Sequence, residues 1–184
     1  MFAPSNPRQA GAQSGSGQCV LGVDPGLTRC GYAVLVPGSS GSALVRAIGV
    51  LRTDRADATP QRLADLAADI ESLLDEFSPT AVAVERVFFQ NNATTAMGTA
   101  QASAIVLLAA RNYGIDVVHY TPSQVKLAVA GSGSADKAAI RAMVRKRLGL
   151  SCDPSPTDAA DAAAVALCHL ASAPLARAVS AGRT

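Results

Sequence analysis

Residues Leu21 to Leu35 have the sequence LGVDPGLTRCGYAVL, in which a short turn segment separates two apolar segments. Its two apolar ends predict buried strands, and DPGLTRC between them predicts a turn in which Gly26 and Gly31 are available for unusual backbone angles. A lone carboxylate, Asp24, ends the first strand. Because an unpaired carboxylate is costly to take out of water, Asp24 requires a cation, a proton or a ring of hydrogen-bond donors.

The order of the elements around this stretch predicts an α/β domain. Three strands come first, in QCVLGVD, GYAVLVP and SALVRAIGVLRT, and two later strands lie in PTAVAVE and DVVHY. Apolar residues at helical spacing and loop signals place helices between and after the later strands. They span Pro60 to Phe77, Asn91 to Asn112, Pro122 to Ala130, Ala135 to Leu148, and Thr157 to about Ala171. We therefore expect a mixed five-stranded sheet with helices on both faces.

Length and composition indicate a single soluble domain. At 184 residues the chain fits one domain with tails. We predict a disordered N-terminal tail at 1–18, a folded domain at 19–171 and a C-terminal tail at 172–184. The tail at 1–18 lacks the apolar core of a secretory signal, and no apolar run approaches the ~20 residues of a membrane span. These features predict a cytoplasmic protein without a membrane partner.

Charge is unevenly distributed along the chain. Residues 1–110 carry 7 basic and 9 acidic side chains, for a net charge of −2, whereas residues 111–184 carry 9 basic and 5 acidic, for +4. The overall charge of +2 does not by itself indicate a nucleic-acid binder. The four cysteines form no CxxC pair, so neither a zinc site nor a disulfide framework is indicated.

Four acids are placed where a site is expected. Asp24 and Glu85 each end a strand, and Asp158 and Asp161 share one face of the last helix at a spacing of i, i+3. All four can converge in the crevice beyond the carboxyl ends of the strands. One carboxylate pair at ~4 Å costs roughly 4 kcal/mol at an effective dielectric near 20, so such a cluster requires cations. Taken singly, each acid also fits a turn, a strand end or a helix N-terminus.

Oxygen-only ligands, without His or Cys, favour hard ions, which makes Mg²⁺ or Mn²⁺ the expected cation. Such ions keep several waters, one of which is then free to attack. Two ions ~4 Å apart can stabilise both the attacking and the leaving oxygen of a phosphodiester. The pattern therefore predicts nuclease chemistry.

The motifs, taken together, resemble those of the RuvC Holliday-junction resolvases, bacterial endonucleases with a ribonuclease-H-like fold. The matching blocks run from Cys19 to about Leu170 in the order VLGVDPG-x-x-x-x-GYAV, AVAVERVF, GTAQA, TPSQVK, GSADK and PTDAADAAAVALCH. The resemblance implies that the family's four metal-binding catalytic acids are Asp24, Glu85, Asp158 and Asp161, with two Mg²⁺ ions per subunit, for which Mn²⁺ can substitute. Some members have histidine at the position of Asp158.

The resemblance also implies contacts to DNA. Phe88 matches an aromatic residue that stacks on a base at the junction, although the neighbouring Phe89 could do so instead; either could also be a core residue. Lys126 and Lys137 match lysines near the active site, where a cation would bind phosphate. A solvated lysine is the alternative for each.

The helix at Ala135 to Leu148 carries a basic cluster suited to sequence-independent backbone contacts, formed by Arg141, Arg145, Lys146 and Arg147. Basic residues are also common at helix C-termini, where they complement the dipole. The cluster alone therefore does not establish DNA binding.

The resemblance further implies a homodimer acting on four-way junction DNA. Two identical sites can make paired nicks in strands of like polarity, as homologous recombination and DNA repair require. The helix at Asn91 to Asn112, rich in alanine and glycine, allows close approach of a second helix or tight packing on its own sheet. The RuvA–RuvB branch-migration complex is the further partner that the family implies.

Two other functions fit part of the pattern. The sugar-kinase, actin and chaperone ATPases also begin with a strand, an aspartate and a Gly/Thr turn, but they need two such domains, and Pro25 removes a backbone N–H that would face phosphate. Tight ATP binding would favour them. A non-catalytic junction-binding protein would have lost a metal ligand, whereas all four acids are present here.

Overall fold

The computed structural model describes residues 18–86 and 93–181, and Phe88 and Phe89 lie outside these residues. The elements within the described ranges are, in chain order, β1 (Val20–Asp24), β2 (Arg29–Pro37), β3 (Ala43–Arg52), α1 (Thr59–Phe77), β4 (Ala81–Glu85), α2 (Ala93–Asn112), β5 (Asp116–Tyr120), α3 (Pro122–Ala130), α4 (Lys137–Leu148) and α5 (Thr157–Ala181).

The sheet has the strand order β3-β2-β1-β4-β5. The first three strands form an antiparallel meander, because β2 pairs antiparallel with both β1 and β3. β4 then pairs parallel with β1 and with β5. The predicted five-stranded mixed sheet is therefore confirmed.

Alternating side chains of the strands form two apolar layers, one on each face of the sheet. One layer packs the strands against α1 and α2 and includes Leu21, Val23, Val82, Leu66, Ile70 and Val106. The other packs them against α3, α4 and α5 and includes Val20, Leu35, Ala83, Val125, Val144 and Leu167. Helices thus cover both faces, as predicted.

Helix α5 packs directly on the backbone of β1 and β2. Its residues 162–168 are almost fully buried, and most of them are alanine. A Cβ at Gly22 would collide with the Ala162 carbonyl and the Ala166 side chain, and one at Gly31 would collide with the Asp158 carbonyl. The small residues on both elements therefore bring the first turns of α5 against the strand that ends at Asp24.

The boundaries of α4 and α5 differ from those predicted. Helix α4 begins at Lys137 rather than Ala135, because the carboxylate of Asp136 caps it by accepting from the Ala139 N–H. Helix α5 continues to Ala181, so the tail predicted at 172–184 is helical over most of its length. The alanines that flank Pro174 in the sequence favour continuation of the helix, because alanine has the highest helix propensity.

Within 18–86 and 93–181 there is no helix with the length and apolar character that crossing a bilayer requires.

Candidate active site

The parallel pairing of β1 and β4 brings Asp24 and Glu85 to one edge of the sheet. Val23 is in register with Val84, and each acid is the next residue of its strand. Both strands are fully buried up to these positions, where the side chains become half-buried. The two carboxylates therefore emerge side by side where the apolar layers end.

Helix α5 brings two more acids to this edge. Asp24 pairs across the sheet with Gly31, and the Asp158 carbonyl lies over Gly31. Asp158 is in the first turn of α5, and Asp161 follows it on the same face of the helix. We call Asp24, Glu85, Asp158 and Asp161 the acid cluster.

Electrostatics couples the members of the acid cluster. The pKa of Asp24 is raised from 3.8 to about 7, mainly by burial and also by the charges of Glu85, Asp161 and Asp158, while Lys137 opposes the shift. These interactions show that the four acids, which are distant in the sequence, share one electrostatic environment. At neutral pH, in the absence of a cation, a bound proton offsets part of the charge on Asp24.

Glu85 and Asp161 are perturbed in the same direction. Burial is the main cause of the raised pKa of Glu85; Asp161 adds to it, and Lys137 and Lys126 oppose it. Burial also raises the pKa of Asp161; Lys137 and Arg141 oppose this shift, and Asp158 adds to it. Each carboxylate is thus held in an environment that disfavours its negative charge, which is the condition that a bound cation relieves.

Three of the predicted DNA-contact residues lie beside the acid cluster. The Lys137 ammonium lies 3.9 Å from Asp161 Oδ2, and its side chain is 78% exposed, so it remains accessible to a ligand. Lys126, on α3, is half-buried and acts on Glu85, and Arg141, one turn after Lys137, acts on Asp161. These cations form a rim along one side of the cluster.

Two further basic residues of α4, Arg145 and Arg147, are engaged elsewhere. Arg145 forms an ion pair with Asp153 at 3.6 Å. Arg147 is partly buried, and it donates to the carbonyls of Gly41 and Ala128 at 3.1 and 3.3 Å. Arg147 therefore ties α4 to the β2–β3 turn and to α3, a structural role that the basic pattern did not indicate.

A contact that the sequence analysis did not predict lies within the acid cluster. Arg29, at the start of β2, donates from Nε to Asp158 Oδ2 at 2.8 Å, and its Nη2 donates to the same oxygen. Both side chains are partly exposed. The signal available in the sequence was the strand alternation that puts Arg29 and Gly31 on one face of β2, the face that α5 covers.

The acid cluster offers only carboxylate oxygens as donors for the predicted metal. Across the described ranges, no group of three or more His, Cys, Asp or Glu side chains is arranged to hold a metal ion. Asp158 is instead directed to Arg29 and Asp161 to Lys137. The chemistry of the site still fits a hard divalent cation, because all four side chains are carboxylates and the pKa values of Asp24, Glu85 and Asp161 are raised by burial and by neighbouring acids.

Comparisons with known proteins agree on one family. The family model described as crossover junction endodeoxyribonuclease RuvC matches residues 20–169, a range that contains the whole acid cluster. The protein of that name from Streptomyces avermitilis is 54% identical over 156 residues, covering 84% of this chain and 88% of the relative. The one from Mycobacterium tuberculosis H37Ra is 50% identical over 155 residues, covering 84% and 82%.

The fold is also similar to a solved structure described as Thermus thermophilus RuvC in complex with Holliday junction substrate. The TM-score is 0.83 at 36% sequence identity, and the match covers 86% of this chain and 96% of that one.

Proposed function

Because this chain belongs to the RuvC family of crossover junction endodeoxyribonucleases, we propose that the acid cluster is the site at which it cuts DNA. The family consists of structure-specific endonucleases that resolve Holliday junctions by paired metal-dependent nicks in strands of like polarity, in homologous recombination and DNA repair. The observation that carries the assignment of the site is geometric: the parallel register of β1 and β4 and the packing of α5 over Gly31 bring the four acids to one edge of the sheet. Burial also raises the pKa values of Asp24, Glu85 and Asp161, and neighbouring acids whose pKa values are perturbed together are typical of catalytic sites.

The acid cluster would hold the divalent cations on which this family depends. We propose Mg²⁺ as the ion, with two per subunit and Mn²⁺ as a substitute, since all the donors are carboxylate oxygens. Bound cations would supply positive charge to the attacking and the leaving oxygen of the phosphodiester. The chain's own part is to collect the carboxylates at one sheet edge and to fix their orientation.

The cationic rim would then bind the DNA backbone. Lys137 is the most exposed of these groups, and with Lys126 and Arg141 it lies where a phosphate entering the acid cluster would be met by positive charge. Hydrolysis in line with the departing 3′ oxygen would leave a 5′-phosphate and a 3′-hydroxyl, ends that a ligase can seal. Arg145 would add a backbone contact farther along α4 once released from Asp153.

The junction would be recognised by more than charge. We propose that Phe88, or its neighbour Phe89, stacks on a base at the crossover, because both follow Glu85 within a few residues. The solved relative described as bound to a Holliday junction substrate supports a four-way junction as the ligand of this fold.

The assembly would be a homodimer, with one acid cluster for each of the two cuts. Helix α2 offers the surface for it: Ala102 is buried against the chain's own sheet, whereas Met97 and Leu108 are exposed on the opposite side. We further propose a cytoplasmic location and cooperation with the RuvA–RuvB complex, as the family resemblance implies.

The decisive experiment measures nicking of a synthetic four-way junction, beside a linear duplex, in Mg²⁺. We expect Asp24→Asn and Glu85→Gln each to lower kcat by at least ~100-fold, because each removes a negative ligand oxygen from the site. Junction binding measured without metal should be retained. Asp75→Asn and Glu76→Gln, which change exposed acids on α1, serve as matched controls and should nick at the parental rate. Parental cutting by Asp24→Asn or Glu85→Gln would contradict the proposed site.

A further inference from the structure

Arg29 contacts Asp158 in an asymmetric way. Its Nε and Nη2 both donate to Oδ2, with the Nε bond at 2.8 Å, and neither nitrogen donates to Oδ1. A guanidinium presents its N–H groups in a rigid plane, so two bonds to one oxygen fix the orientation of the whole carboxylate. Lys137 and Asp161 differ, because a single 3.9 Å contact from a largely exposed lysine constrains neither side chain strongly.

The backbone around Arg29 is held in place by a hydrogen-bond network. Arg62 on α1 donates to the hydroxyls of Thr28 and Thr53, at 2.7 and 3.0 Å. Thr53 in turn donates to the Leu27 carbonyl at 2.6 Å. The two residues immediately before Arg29 are therefore anchored to α1 and to the end of β3.

The position of Asp158 is fixed from the other side. Gly31 has no side chain to keep α5 away from β2, so the Asp158 carbonyl packs directly over it. Arg29 lies two residues before Gly31 on the same face of the strand. Both partners of the ion pair are thus mounted on rigid elements, as side chains that orient a ligand must be.

We propose that Arg29 is a positioning residue, which holds Oδ2 of Asp158 so that Oδ1 is presented to the divalent cation of the acid cluster. The inference rests on the proposed function, because it requires Asp158 to be a metal ligand. Arg29 acts through Asp158 and touches neither the cation nor the DNA in this role. Groups that orient metal-ligating carboxylates typically change metal affinity or activity by about 10- to 100-fold when they are removed.

The test is a calorimetric titration of the full chain with Mn²⁺ alone. Arg29→Lys keeps the charge but cannot place two donors in a fixed plane, so we expect the Kd for Mn²⁺ to rise about tenfold. Arg29→Gln should also weaken Mn²⁺ binding. Removal of the positive charge of Arg29 would by itself strengthen Mn²⁺ binding, so weaker binding in this variant would come from the lost positioning of Asp158. Arg46→Lys, at an exposed arginine on β3 of the same sheet, is the matched control and should bind Mn²⁺ as the parent does.

A double variant shows whether Arg29 acts through Asp158. If it does, Arg29→Lys combined with Asp158→Asn binds Mn²⁺ no more weakly than Asp158→Asn alone, and Arg29→Lys lowers the kcat for junction nicking without changing KM. Urea unfolding of each variant verifies the fold. Unchanged affinity in Arg29→Lys, or tighter binding in Arg29→Gln, would overturn the inference; the proposed function survives if Asp158→Asn still loses affinity. If Asp158→Asn binds normally, the ligand role of Asp158 and the inference fail together.

Discussion

Asp24 is a carboxylate at the end of a buried strand, and its environment makes its charge costly. Burial and three neighbouring acids raise its pKa to about 7, and the rim cation Lys137 offsets this only in part. Among the described residues Lys137 opposes the negative charge of Asp24, and a proton or a metal ion would offset the rest of it. The same residue thus destabilises the metal-free fold and favours a bound cation.

Because folding raises the pKa of Asp24, the free energy of unfolding should depend on pH. An acid whose pKa is raised by folding contributes stability that is present below its unfolded value of 3.8 and is lost as pH rises through about 7. A shift of this size corresponds to ~4 kcal/mol. In metal-free buffer we therefore expect the free energy of unfolding to fall between pH 4 and 7, and Asp24→Asn to be more stable than the parent at pH 8.

Urea denaturation in EDTA at pH 5 and pH 8 checks this prediction. Asp75→Asn, which changes an exposed acid on α1, should keep the parental dependence on pH. If Asp24→Asn and the parent lose the same free energy of unfolding between pH 5 and pH 8, folding does not raise the pKa of Asp24 as inferred.

The sequence indicated all four residues of the acid cluster, but it did not indicate which side chains pair with them. Asp24 and Glu85 end strands that alternation and composition identify, and the spacing of Asp158 and Asp161 fixes their shared helix face. The orientation of Asp158 toward Arg29 depends on side-chain rotamers and on the close approach of α5, which no local pattern encodes.

At the scale of elements, α5 determines how closely the acids meet. The helix lies on β1 and β2 because glycines on the strands oppose alanines on the helix, as Gly22 does beneath Ala162 and Ala166. The sequence predicted this helix and its first residue, but not its end at Ala181. Its core-facing part is specified by apolar spacing, whereas its last turns depend on a balance between alanine propensity and one proline.

A side chain at Gly22 should push α5 away from the sheet. The Cβ of Gly22→Ala would collide with backbone atoms of the helix, which cannot move as a flexible side chain would. We expect a loss of ~1–3 kcal/mol in the free energy of unfolding, typical of overpacking, together with slower nicking as Asp158 and Asp161 shift.

Gly133→Ala is the matched control for this substitution. Its added Cβ would meet only the Ser123 carbonyl at 3.7 Å, an ordinary contact. Urea unfolding should place it within ~0.5 kcal/mol of the parent. Equal stability of the two glycine variants would show that α5 adjusts to the added methyl group.

At the scale of the whole molecule, the topology separates the charges that the sequence distributes along the chain. The parallel pairing of β1 with β4 collects acids from the amino-terminal half, and α3 and α4 bring lysines and arginine from the basic half to the same edge. The sequence predicted a mixed sheet, but the placement of α3 and α4 beside the acids depends on long-range packing, which sequence periodicity does not specify.

Paired cutting requires two such edges in one assembly, and α2 offers the surface that would join them. Met97 and Leu108 are each 59% exposed, and their spacing places them on one side of the helix with the exposed Ala104 between them. An exposed apolar patch of this kind is typical of an interaction surface, and a two-fold axis would place it against the same patch of a second copy.

We expect Met97→Glu combined with Leu108→Glu to convert a dimer into a monomer in sedimentation velocity, because the charges would be buried without partners. The monomer should nick single strands without coupling the two cuts. Leu44→Glu, at a leucine on β3 that is 61% exposed, is the control and should remain dimeric. If the double variant sediments as the parent does, the subunits associate through another surface.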